Sequence, residues 1–206
     1  MVNALALILF VIWFLVIFVL RSVVQKRATG DSGIRPGAFA AGATRVERVA
    51  SLLLMVAFIG GLAAPIAAIA GLDRLWSHQP LRLAGLALAV LGIGLTYAAQ
   101  VGMGTEWRIG IDRAETTGLV TSGVFSLVRN PIFTAMIITT LGFVAMVPNL
   151  IAIAAVICLV IAIELQVRHV EEPHLARLHG PAYTAYTAGV GRFVPAIGRS
   201  IAGDHR

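Results

Sequence analysis

The chain has 206 residues, 58% hydrophobic and 13% charged, with a mean hydropathy of +0.89. Soluble chains carry roughly 45–50% apolar and about 25% charged residues, so this composition excludes a soluble enzyme, a disordered tail and a disulfide scaffold. The lone Cys158 has no second cysteine to pair with, and the net charge of +6 reads as basic loops against anionic headgroups rather than nucleic-acid binding.

A bilayer core of about 30 Å takes roughly 20 apolar helical residues, or about 17 in a tight hairpin. Five stretches qualify. The first runs from Asn3 to Leu20 and is closed by Arg21. It lacks a basic leader and exceeds the apolar run of a cleaved signal, so it reads as a retained helix. The second runs from about Val49 to Gly71, with Pro65 as an expected kink. The third covers about Leu83 to Gly102, the fourth Pro131 to Val147, and the fifth Leu150 to about Val167. Only Pro148-Asn149 separates the last two, which predicts a tight antiparallel hairpin.

Loop charges agree with this division. Lys and Arg number none before the first span, then six, two, three, none in the hairpin, and five after the last. Under the positive-inside rule the N-terminus lies outside and the C-terminus is cytoplasmic. The expected fold is therefore all-α: a polytopic membrane helix bundle of five transmembrane helices with a cytoplasmic C-terminal helical cap. Residues 1–102 supply three membrane helices and a basic loop, with a surface helix expected near Ala38–Val49. Residues 103–206 supply a polar loop, the hairpin 131–167 and a polar C-terminal segment. A bundle of this kind has to build any site at the interface, from Met103–Asn130 and Arg168–Arg206.

The chemistry-bearing residues lie in those two segments. Asn130-Pro131 opens the fourth span as an N-cap and first-turn proline; the same helix end, with Arg129, also suits an anionic group. Glu164 sits at the edge of the fifth span, four residues before Arg168, a spacing that serves a structural ion pair or a polar site equally well. Glu171 and Glu172 follow, either as a solvated acidic face or as part of a site beneath the membrane. His169, His174 and His179 recur every five residues, so they do not share a helix face, and no metal site is expected. Gly102-Met103-Gly104 lacks the strand and third glycine of a dinucleotide fingerprint. Gly60, Gly61, Ala64, Gly92 and Gly94 read as close-packing positions between helices.

Taken in order, Gly118-Leu-Val-Thr-Ser-Gly-Val-Phe125, Arg129-Asn-Pro-Ile-Phe133, an apolar hairpin, Glu171-Glu172 with Gly180, Tyr183 and Tyr186, and Arg192-Phe-Val-Pro195 resemble one family. They are similar to the isoprenylcysteine carboxyl methyltransferases and the related phospholipid methyltransferases, over about Trp107 to Pro195. The resemblance implies an integral membrane enzyme that moves a methyl group from S-adenosylmethionine to a lipophilic carboxylate or amine at the cytoplasmic interface. Its implied cofactor residues are Thr117, Gly118, Leu119, Val120, Phe125, Asn130, Pro131, Ile132, Phe133 and Glu171. Arg129, Arg168 and Glu172 are the implied catalytic group, with Arg168 as the nearest basic candidate for a carboxylate substrate and Glu172 or His169 as a base for an amine or hydroxyl. The implied partners are a lipophilic small molecule or lipid and the membrane itself, with no nucleic acid.

This sequence departs from the family pattern at three positions: Asn130 replaces a frequent His, and Phe125 and Phe133 replace frequent Tyr. Those changes keep a flat apolar wall and lose hydroxyls. Two other readings follow. One is an NADPH-dependent membrane reductase of the sterol reductase type, which five spans disfavour. The other is a non-catalytic membrane subunit of the same fold, which the lost side chains would permit.

Overall fold

In the computed structural model, residues 1–35, 37, 42–111 and 115–200 are described. The described residues form helices without strands, joined by short turns and three isolated bridges. Six helices organise the fold: α1 Val2–Thr29, α2 Arg45–Ile69, α3 Gln79–Gly102, α4 Pro131–Met146, α5 Leu150–His179 and α6 Pro181–Gly189. Four of them, α1, α2, α3 and α5, are long and apolar enough to cross a membrane. The expected count of five meets its limit in α4, whose 16 residues rise only about 24 Å.

Local chemistry sets the helix ends. α1 continues past Leu20 through a π-helical turn, Leu15–Leu20, because no breaker appears before Gly30. Gly30, at φ +81°, stops it in the left-handed conformation that glycine tolerates. α2 opens on a capping box: Thr44 accepts from the Glu47 N–H at 3.2 Å, and the Thr44 N–H donates back to Glu47 at 2.5 Å. The surface helix expected from residue 38 falls partly on 38–41, outside the described residues; the helix that is described begins at Arg45. Val147-Pro148-Asn149 makes the tight α4–α5 hairpin. Asn149 caps α5 by accepting from the Ala152 N–H at 2.9 Å.

α5 runs twelve residues beyond the end of the fifth apolar span at Val167, to His179. Pro173 would ordinarily break such a helix by losing an N–H and crowding the carbonyl of His169. The widened π-helical turn Val167–Glu171 comes just before it and accommodates it. This extension carries the Glu171-Glu172 pair out of the apolar zone on a rigid rod.

Packing depends on small residues. α3 lies against α4 with Gly85 so close that an added Cβ would stand 2.7 Å from the Cβ of Ala145 and 2.8 Å from the Gly142 carbonyl. Gly142 in turn faces the backbone of Ala89, and Gly92 faces Thr139. Between α2 and α5, Gly60 meets Ala155. Gly94, expected to pack, faces open space instead, so it does not hold two helices together. Phe10, Trp13, Phe58 and Phe143 fill the centre where α1, α2 and α4 meet, with Phe10 and Phe143 centroids 5.7 Å apart. Outward faces carry exposed apolar side chains such as Leu52, Ile59, Ile66, Leu91 and Ile161, which only lipid tails would cover.

The bundle has two unlike ends. At one lie the connections 70–78 and 147–149, tied by Asn149 donating to the Ala64 carbonyl (3.0 Å), Asn3 to Ala68 (3.0 Å) and Arg82 to Met146 (3.3 Å). At the other lie the basic first loop, the segment after α3 and the chain beyond α5. The alternation of loop charges corresponds to these two ends.

Candidate active site

The second end is laced together by backbone. Gly33 and Arg35 exchange hydrogen bonds with Ile109 at 2.8 and 2.9 Å, so the first loop runs beside the segment after α3. The Arg35 guanidinium clamps Glu115, which also accepts from Arg108 at 2.8 Å. Hydrogen bonds from Arg35 and then Arg108 hold the Glu115 carboxyl down at about 2, and those from Arg35 and the Gly33 N–H hold Asp31 at about 2. On the far side, Arg129 and Asn130 donate their backbone N–H groups to Gly191 (2.8 Å) and Arg192 (3.1 Å). Thr134 donates its hydroxyl to the Phe193 carbonyl at 2.8 Å.

Between these layers lies a cavity of about 730 Å³, inside the usual range of roughly 300–1,000 Å³ for small-molecule sites. One part of its wall is apolar and extends among the helices: Ile17 and Phe18 of α1, Leu54 of α2, Met136 of α4, Ala162 and Ile163 of α5. The other part is polar: Glu106, Arg108, Thr117, Gly118, Arg129, Asn130, Gln166, Glu171, Glu172, Tyr183 and Tyr186. Thr117 to Val120, Phe125, Arg129, Asn130 to Phe133, Glu171 and Glu172 all line this one space, though they come from three separated stretches of chain.

Arg168 does not. It pairs with Glu164 on an exposed face of α5, with half of its side chain open to solvent. Arg168 lies within the widened turn Val167–Glu171 and Glu172 just after it, and the two side chains face different ways. Arg129 and Glu172 meet each other: the buried Arg129 donates to Glu172 at 2.8 Å and to the carbonyls of Gly198 (3.0 Å) and Thr187 (3.2 Å). Arg192 grips the same carboxylate through two bonds of 2.8 Å, and Glu172 raises the Arg192 guanidinium further. Both Glu172 oxygens are thus taken by guanidinium donors.

Asn130 lies at the start of α4 but makes no side-chain cap; its amide donates to the Arg192 carbonyl at 3.2 Å. The first-turn N–H groups of Ile132 and Phe133 therefore remain without intrahelical partners, at a helix end lining the cavity. Glu171 accepts one bond, from Gln166 at 3.3 Å. The Tyr186 hydroxyl donates to the Phe125 carbonyl at 2.6 Å, and burial pushes it up to about 12. Burial likewise pushes the Tyr183 hydroxyl upward, so both tyrosines serve as neutral donors rather than bases.

Known proteins bear on this arrangement in two ways. Residues 81–182 match the family model described as phospholipid methyltransferase, a stretch spanning α3, the polar loop, the hairpin and the Glu171-Glu172 rod. Through these residues the chain is similar to the phospholipid methyltransferase family. No curated protein matches by sequence. Among solved structures, a eukaryotic intramembrane Ras methyltransferase, isoprenylcysteine carboxyl methyltransferase, aligns at TM-score 0.58 with 20% identity over 88% of this chain. This chain spans 62% of that protein's length, and the likeness is one of fold.

With four apolar helices of membrane-spanning length, the chain has the build of an integral membrane protein. The matched stretch supplies only part of the cavity. Ile17, Phe18, Ala50, Ser51 and Leu54 of α1 and α2 precede it, and the Arg192 that holds Glu172 follows it. Sequence periodicity marks Ile17 or Leu54 as buried, but burial alone does not distinguish core from cavity wall. Glu106 also escaped the motifs, though an acidic residue directly after a membrane helix, in a chain with only 10 acids, was a signal.

Proposed function

We propose that the protein is an S-adenosylmethionine-dependent methyltransferase acting on a lipophilic acceptor at the cytoplasmic membrane interface. One observation carries this reading: a single cavity joins the motif residues to an apolar wall that runs in among the helices. The cavity's size, its polar donors and its unpaired carboxylates suit a nucleoside that carries an amino acid and a cationic sulfur. When bound, that donor supplies a methyl group on sulfonium, ready for in-line displacement. Thr117 to Val120, Phe125, Asn130 to Phe133 and Glu171 would hold it, with the free N–H groups of α4 suited to its carboxylate.

The protein's own contribution is then alignment and exclusion of water. Phe133, Ile132 and Met136 line the cavity with apolar surface. Arg129, Glu172 and Arg192 act as a strut that fixes α4, α5 and the C-terminal segment around the reacting atoms. Among the described residues every guanidinium lining the cavity is already committed, Arg35 and Arg108 to Glu115 and Arg129 to Glu172, which favours an amine or hydroxyl headgroup over a carboxylate. The charge pattern of the loops supports an outside N-terminus with this end of the bundle cytoplasmic.

The test is methyl transfer in membranes. Membranes containing the protein, incubated with methyl-labelled S-adenosylmethionine and analysed by mass spectrometry, should yield a labelled amine- or hydroxyl-bearing lipid. A labelled carboxylate ester as the main product would overturn the acceptor class.

A further inference from the structure

The cavity holds a charge imbalance that the motif residues do not explain. Its three guanidiniums are all paired with acids. Two of its carboxylates, Glu106 and Glu171, have no cation against them among the described residues. Glu106 falls within the 81–182 family match but outside the motif residues read from the sequence, yet it lines the same wall.

Its placement is built from both sides. The chain turns at Gly104, φ +58°, into a single helical turn that ends on Glu106. The fully buried Gln25 of α1 donates to the Thr105 carbonyl at 2.7 Å, and Arg108 donates to the same oxygen at 2.6 Å. The buried Arg21 donates to the Gly104 carbonyl and lies over the Trp107 ring, 4.9 Å from its centroid. Two buried polar side chains of α1 thus fix the backbone that carries Glu106. At the other end of the side chain, one carboxylate oxygen accepts the Gly118 N–H at 2.6 Å. A Cβ at position 118 would stand 3.4 Å from the carboxyl carbon, at ordinary contact distance. Among the described residues the second oxygen has no partner.

We propose that Glu106 is a ligand-binding residue of the methyl-donor site, its carboxylate receiving the α-ammonium of the donor's amino-acid part. The inference rests on reading the cavity as an S-adenosylmethionine site. A carboxylate fixed in a partly desolvated wall, with the described guanidiniums of the cavity committed elsewhere, gains most from a ligand that is both cationic and an N–H donor. Its bond to Gly118 places it beside the 117–120 tract rather than in the apolar part, so the partner is the donor and not the lipid. α1, which precedes the family match, thereby becomes part of the donor site.

Calorimetry on detergent-purified protein tests this with two ligands, S-adenosylhomocysteine and 5′-methylthioadenosine, which shares the nucleoside and lacks the amino acid. Glu106→Gln keeps the shape and can still accept from Gly118. It should weaken S-adenosylhomocysteine by about tenfold to a hundredfold, the range for a lost charged hydrogen bond, and leave methylthioadenosine unchanged. Glu106→Asp, which keeps the charge, should recover part of the loss. Wild-type affinity of Glu106→Gln for S-adenosylhomocysteine would overturn the assignment, as would an equal loss for both ligands. A wild-type protein that binds neither ligand would instead overturn the proposed function on which the assignment stands.

Discussion

The two ends of the bundle use polar residues in opposite ways. At the hairpin end, Asn3, Asn149 and Arg82 spend their donors closing carbonyls of α2 and α4. Asn149 is almost wholly buried, caps α5 with its oxygen and donates to Ala64 with its nitrogen, so both of its polar atoms are engaged inside the bundle. At the other end, Asn130 occupies the matching place before α4 yet caps nothing, and the helix N–H groups behind it stay open. Asparagine before an apolar helix therefore has two uses, and what the side chain bonds to decides between them. A closed end is stable; an end with spare donors and acceptors is suited to binding.

Substitutions can break each side of that comparison. The largest effect falls on the shared helix packing on which both ends depend. Gly142→Val would drive a side chain into the backbone of Ala89 and Gly85, costing several kcal/mol, and should leave no monodisperse folded protein on size exclusion. Next is the strut at the site end: Glu172→Ala leaves Arg129 buried without its carboxylate, an expected loss of about 3–5 kcal/mol. Both the thermal midpoint and S-adenosylhomocysteine affinity should fall, because the strut positions the cavity wall. Asn149→Ala at the closed end should cost about 1–3 kcal/mol through a lost cap and an unpaired carbonyl. Here the thermal midpoint should fall while ligand affinity in the folded protein stays at the wild-type value. The contrast between those two variants is the sharpest check on the difference between the ends.

A smaller effect concerns the strap formed by Arg35, Arg108 and Glu115. The folded protein holds Glu115 at about 2, below its ordinary 4.5, so its contribution is fully present above that ordinary value and is lost as pH falls toward 2. Thermal melts from pH 6 to pH 3 should show Glu115→Gln less stable than wild type at pH 6, with the gap narrowing as pH falls. A constant gap would remove the carboxylate as its cause. Smallest of all is Arg168→Ala. Its exposed pair with Glu164 is worth about 1 kcal/mol or less, and ligand affinity should not change.

Much of this was legible in the sequence because apolar length and loop charge are one-dimensional signals. The five apolar stretches, the Pro148-Asn149 turn and the gathering of the motif segments at one end all follow from them. The lengths of α1 and α5 did not, since a helix ends where a breaker stands, at Gly30 and Gly180, rather than where hydropathy falls. Pro173 lies inside α5 all the same, because the π-helical turn before it accommodates it. The Glu164–Arg168 spacing fixed the pair but not its direction, which depends on the phase that the same wide turn shifts. Gly85 and Gly142 were invisible as a pair because their closeness exists only once α3 and α4 meet. Glu106 was missed for a like reason: its significance comes from Gly118, Gln25 and Arg21, which the fold brings to it from elsewhere in the chain.

The measurement that bears most directly on the whole account is calorimetric titration of the purified wild-type protein with S-adenosylhomocysteine, alongside NADPH. The cavity and its family residues predict one-to-one binding of S-adenosylhomocysteine, weakened by Glu171→Ala, and no binding of NADPH. Binding of NADPH alone, or of neither ligand, would contradict it.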